Sequence, residues 1–137
     1  MEESLCRSPG EVVLPPVATS PSYRPTEVTP AMLQPPRLVY WELTKRCNLA
    51  CVHCRAMPQA CASPDELSLA EGLNLIDAIA EVGRPILVLT GGEPLLRSDL
   101  FILARHARLR GLNIALATNG TLVTREVARQ IVDAGFK

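Results

Sequence analysis

Ile86-Leu87-Val88-Leu89-Thr90-Gly91-Gly92-Glu93-Pro94 is the stretch on which the fold turns. Its first four residues are apolar without a break. A strand with one wet face alternates apolar and polar residues, whereas an unbroken run suits a parallel strand covered on both faces. The two glycines and Glu93-Pro94 then come directly off the strand's C-terminal end. Two glycines after a strand are often only a turn, since glycine tolerates positive φ at no steric cost. They are not the dinucleotide fingerprint, whose glycines are spaced G-x-G-x-x-G. At that sheet edge, missing side chains let a ligand approach the backbone, and Glu93 offers a carboxylate for a cationic group.

The flanking sequence fits a parallel sheet. Upstream, Leu38-Val39-Tyr40-Trp41-Glu42-Leu43 is rich in β-branched and aromatic residues and reads as a strand. Ser68-Leu69-Ala70-Glu71 is a capping box, after which Leu69, Leu73, Ile76 and Ile79/Ala80 recur at helical spacing until Gly83. Downstream, Ser98 is expected to cap a helix running to about Arg110 and stopped by Gly111. Asn113 to Thr118 reads as a third strand, ending at Asn119-Gly120, and Thr124 starts a third helix that fades at Gly135. The order strand, helix, strand, helix, strand, helix implies an α/β fold with parallel strands and right-handed crossovers. Barrels and open α/β sheets both place their active sites at the C-terminal edge of the strands.

The loop after the first strand carries Cys47, Cys51 and Cys54 at the spacing C-x3-C-x2-C. Thiolates are soft ligands that select zinc, copper(I) or iron–sulfur clusters. Three of them leave one metal position open, and an open position is where chemistry happens. A structural zinc site normally has four ligands. His53 shares the short loop with its neighbours, and Cys61, seven residues on, is the better fourth ligand. An iron–sulfur cluster with one open iron fits the spacing better. Asn119-Gly120 reads equally as a turn leading into a helix or as part of a site. His53 reads as a packing or shielding residue, and His106, with Arg105 and Arg108 nearby, is placed on a solvated face. Arg97 and Lys45 lie close to the loops without an assigned role.

Bulk properties narrow the field. The chain has 137 residues, with 14 basic and 14 acidic side chains, so no net field draws it to nucleic acid or an anionic membrane. With 47% apolar residues it can bury a core. Five cysteines, three of them tightly spaced, fit metal ligation in a reducing compartment better than a disulfide framework. No run approaches the roughly 20 apolar residues of a spanning helix, and Glu2 and Glu3 stand where a signal peptide carries positive charge. The expected location is the cytoplasm. Residues 1–36 hold eight of the twelve prolines and read as a flexible leader containing Cys6, with a domain over 37–137.

Taken together, Cys-x3-Cys-x2-Cys after a first strand, Gly-Gly-Glu-Pro after a second and Thr-Asn-Gly after a third resemble the radical S-adenosylmethionine superfamily. The resemblance runs from about Arg37 to the last residue. Tyr40-Trp41-Glu42-Leu43-Thr44-Lys45-Arg46-Cys47 and Cys54-Arg55-Ala56 look like the branch acting in haem maturation and its peptide-modifying relatives with auxiliary C-terminal clusters. It implies that Cys47, Cys51 and Cys54 hold three irons of a 4Fe-4S cluster, and that S-adenosylmethionine chelates the fourth through its amino and carboxylate groups. Gly91, Gly92 and Glu93, in the motif ending at Pro94, would receive the aminium group. The backbone around His53 would lie against the adenine, although the family often has an aromatic residue there. Thr118 and Asn119 would face cofactor or substrate.

The implied chemistry is reductive cleavage to methionine and a 5′-deoxyadenosyl radical that abstracts a substrate hydrogen. Iron–sulfur potentials span about −700 to +450 mV, and reducing a sulfonium needs the low end. The implied partners are a small-molecule or peptide substrate and an electron donor such as flavodoxin or ferredoxin, with neither nucleic acid nor membrane. The implied architecture is a partial (β/α)6 TIM-like barrel with a parallel sheet. A full barrel needs about 200 residues or more, and three strand–helix units are present, so the chain is expected to be an N-terminal piece of a longer protein. Two other readings stand beside this one: a zinc module, and a fragment that binds a cluster without turnover.

Overall fold

A computed structural model describes residues 34–54, 59 and 61–137. The proline-rich leader and Cys6 lie outside the described residues, apart from exposed Gln34–Pro36. A compact unit spans Pro35–Lys137.

The elements follow in the order β1 (Leu38–Glu42), α1 (Leu69–Val82), β2 (Ile86–Thr90), α2 (Leu100–Leu109), β3 (Asn113–Leu116) and α3 (Arg125–Asp133). The strands form one sheet in the order β1-β2-β3, parallel throughout, with Tyr40 opposite Val88 and Val88 opposite Ala115. This is the expected α/β alternation. Strand β3 ends two residues earlier than the sequence suggests, at Leu116, although the Ala117 amide still donates to Leu89 O at 3.0 Å. The amide of Lys137 donates to Ile114 O at 3.1 Å, which lays the last residue beside β3.

The helix ends show local chemistry at work. Ser68 and Glu71 close the capping box at the start of α1, with Ser68 N donating to Glu71 Oε2 at 2.8 Å and Glu71 N to Ser68 Oγ at 3.4 Å. At α2 the expected cap is wrong. Asp99 rather than Ser98 occupies the N-cap, and it makes no side-chain cap bond because its carboxylate is held by Arg97. Gly111, at φ +79°, ends α2 in a Schellman pair: Gly111 N donates to Arg108 O and Leu112 N to Ala107 O. Thr124 caps α3 through Val127 N at 3.2 Å.

The core lies between the sheet and the helices. Leu87, Leu89 and Ile114 from the sheet meet Ile76 of α1 and Leu103, Ala104 and Ala107 of α2. The small alanines let α2 sit close, and Gly72 does the same for α1: a Cβ there would fall 2.9 Å from the Trp41 ring. His106 departs from the solvated face assigned to it. Its Nε2 lies 2.6 Å from Asp77 Oδ1, which also pairs with Arg110, so the cluster ties α2 to α1.

Candidate active site

Three loops leave the C-terminal ends of the three strands, and each is bonded to the other two. The first and second are joined because the β1–β2 ladder continues past both strands. Gly92 N donates to Thr44 O and Glu93 N to Arg46 O, both at 2.7 Å. Only glycine permits this approach. A Cβ on Gly91 would lie 2.5 Å from Thr44 O, and one on Gly92 would lie 2.3 Å from Arg46 O. On the Cβ side of both glycines the chain's own backbone fills the space.

Glu93 joins the second loop to the third. It is fully buried, and its Oε1 accepts from Leu95 N at 2.9 Å and Thr118 Oγ1 at 2.7 Å, while Oε2 accepts from Asn119 N at 2.7 Å. A buried carboxylate needs such donors to offset its desolvation. Its partners within the chain are the Leu95 and Asn119 amides and the Thr118 hydroxyl. Pro94 is buried as well and begins one turn of 3-10 helix, Pro94–Leu96, capped by the same Glu93.

The third loop returns to the first. Asn119 Nδ2 donates to Asn48 Oδ1 at 2.9 Å and reaches Cys47 Sγ at 3.8 Å. Asn48 Nδ2 donates to Thr121 Oγ1 at 2.7 Å. Neither Asn48 nor Thr121 stands out in the sequence. Each adjoins a motif residue, and only the parallel topology brings positions 73 residues apart into contact.

The cysteine loop is pinned at its neck. Gln59 N donates to Lys45 O at 3.0 Å and Cys47 N to Gln59 O at 3.1 Å, so the loop leaves and returns at one point. Within it Cys54 N donates to Cys51 O at 3.0 Å, and His53 occupies the exposed turn between them. Cys51 and Cys54 are exposed and Cys47 half-buried. Among the described residues, no three His, Cys, Asp or Glu groups stand close enough together to hold a metal ion, Cys61 included. By donor chemistry the set fits an iron–sulfur cluster. Three soft ligands sit on one pinned loop, and Cys47 Sγ already receives Leu49 N at 3.4 Å, the kind of N–H···S contact that tunes such clusters.

Behind the rim, two charged side chains fix the loops to the scaffold. Arg97 donates to Leu43 O at 2.9 Å and Leu67 O at 2.7 Å while pairing with Asp99. Glu66 Oε1 accepts from Thr44 Oγ1, Lys45 N and Ser63 N. Burial raises the Glu66 pKa, but the Ser63 and Lys45 amides, the Thr44 hydroxyl and the Arg97 charge outweigh it. They hold the carboxyl below its ordinary value of 4.5. Arg97 thus acquires the role that the sequence left open, and Lys45 contributes through its backbone.

Comparison with known proteins identifies the family. An AdoMet-dependent heme synthase of Methanosarcina barkeri is 49% identical over 107 residues, which cover 78% of this chain and 31% of that protein. The mycofactocin maturase MftC of Mycobacterium tuberculosis is 35% identical over 118 residues, covering 86% of this chain and 30% of its own. The chain thus spans about a third of the length of these curated relatives. The solved structure of BtrN in complex with AdoMet and 2-DOIA superposes with a TM-score of 0.64 at 18% identity, over 73% of this chain and 42% of that one, so the two share a fold. The sequence model of the Radical SAM superfamily matches residues 41–137, from Trp41 of β1 through all three rim loops, and the chain belongs to that superfamily.

Proposed function

We propose that this chain carries the cluster-binding and part of the cofactor-binding rim of a radical S-adenosylmethionine enzyme. Cys47, Cys51 and Cys54 would hold three irons of a 4Fe-4S cluster, the fourth being left for S-adenosylmethionine. When bound, the pair supplies a 5′-deoxyadenosyl radical that takes a hydrogen from the substrate. One observation carries the reading: three loops with unrelated motifs form a closed triangle of hydrogen bonds at one end of the sheet. Glu93 sits at one corner and Asn119 beside Cys47 at another.

The chain's residues divide the work by position. Gln59 and Lys45 close the neck of the cysteine loop, so that gathering three thiols costs little chain entropy. Gly91 and Gly92 set the second loop against the first, and their carbonyl oxygens would accept from the aminium group. Glu93 holds Thr118 and Asn119 at the rim and acts on the cofactor through them. The backbone at His53 would lie against the adenine.

The substrate class we favour is a tetrapyrrole. The greater identity to the haem synthase, 49% against 35% for the mycofactocin maturase, supports that choice over a peptide. Anaerobic reconstitution of the protein tests the cluster, with about four irons and four sulfides per chain expected. Reduction with dithionite in the presence of S-adenosylmethionine should release 5′-deoxyadenosine, and a tetrapyrrole rather than a peptide should accelerate it. Failure of the anaerobic protein to take up iron would sink the assignment.

A further inference from the structure

The contact between Asn119 and Cys47 has a built geometry. Three side chains form a ring in which each both donates and accepts. Asn119 Nδ2 donates to Asn48 Oδ1 (2.9 Å), Asn48 Nδ2 to Thr121 Oγ1 (2.7 Å), and Thr121 Oγ1 to Asn119 Oδ1 (2.7 Å). The orientation of the Asn119 carboxamide is fixed independently, because the peptide N–H of Thr121, which can only donate, also points at Oδ1 at 2.9 Å. The NH2 end therefore faces away from Thr121. One of its hydrogens is taken by Asn48, and Cys47 Sγ lies 3.8 Å from the same nitrogen. The backbone of Asn119 is anchored by Glu93. The ring and the Thr121 N–H together define which way the carboxamide faces.

From this geometry we infer that Asn119 is a positioning residue that donates its second amide hydrogen to the Cys47 sulfur and raises the reduction potential of the cluster held there. The inference rests on the cluster assignment above. A donor at a ligating sulfur stabilises the more negative, reduced cluster, so hydrogen bonds to the sulfurs move the potential upward. Asn48 and Thr121 serve by keeping the amide from rotating.

The test compares the reconstituted protein with Asn119→Ala and Asn119→Asp. Iron and sulfide content are measured first, then the midpoint potential by a redox titration followed by electron paramagnetic resonance, without S-adenosylmethionine. The expected result is iron content equal to the parent and a midpoint moved to more negative potential in Asn119→Ala. Asn119→Asp should move it further, because it removes the donor and adds a negative charge. Unchanged midpoints with iron intact would overturn the inference. Loss of iron in both variants would also overturn it, assigning Asn119 to building the loop. If only one variant keeps its iron, that variant's midpoint decides. A parent protein that takes up no iron sinks the cluster assignment itself, a result separable from the others.

Discussion

At the scale of single residues, the site is held by groups whose neighbours leave no slack. Gly92 is the clearest. Its missing Cβ would sit 2.3 Å from Arg46 O and 2.9 Å from Lys45 O, both backbone atoms that cannot swing away. Gly92→Ala should therefore cost about 3 kcal/mol or more, the top of the usual range for one substitution, as a fall in the urea midpoint. Glu93→Gln keeps the shape but sets an amide NH2 where donors already point. With three donors to satisfy and a buried site, the loss should be about 1–3 kcal/mol, read in the same experiment. The sequence exposed the glycine pair and the carboxylate but not their bonds within the chain. Motif spacing says which residues are special, whereas the partners of Glu93 lie 25 and 26 positions away across a strand crossover. Asn48 and Thr121 were illegible for the same reason.

At the scale of elements, legibility followed locality. The capping box at Ser68, the stop at Gly111 and the cap at Thr124 depend on residues within a few positions, and the sequence shows all three. The cap of α2 does not, because Asp99 is diverted by Arg97, whose own position is set by Leu43 and Leu67. The segment between β1 and α1 is ruled by Glu66, and its behaviour with pH follows. The folded pKa of Glu66 is depressed, so its stabilising contribution is present above its ordinary value of 4.5 and lost as pH falls through the folded value. Thermal midpoints measured downward from pH 7 should show the parent above Glu66→Gln, with the gap narrowing below about pH 4.5. A gap that widens on acidification would contradict the assignment. The neighbouring cysteine loop should respond to iron. Exposed Cys51 should react readily with iodoacetamide in the iron-free protein and be shielded after reconstitution, since a thiolate bound to iron is no longer a free nucleophile.

At the scale of the whole molecule, the sheet has two unequal faces, and that inequality is testable without any cofactor. Residues Val39 and Trp41 of β1 turn toward the helices, where Trp41 meets Gly72 of α1. Leu38 and Tyr40 turn the other way and are 47% and 68% exposed, as is Ile86 of β2 at 43%. The continuous apolar run of β2 suggested cover on both faces, and Leu87, Val88 and Leu89 are buried accordingly, whereas Ile86 at the start of the run is exposed. No periodicity argument could have told these strands apart, because an apolar side chain looks the same in sequence whether its face is covered or bare. Trp41→Ala removes a large ring wedged between sheet and α1, and it should cost about 3 kcal/mol. Tyr40→Ala, one residue away on the other face, should stay within about 0.5 kcal/mol, as expected of a surface site. Urea unfolding of the two variants, side by side, checks which face carries the fold. Equal losses would mean that the helix layer is not where the stability resides. The rim loops would then have lost the scaffold on which their alignment depends.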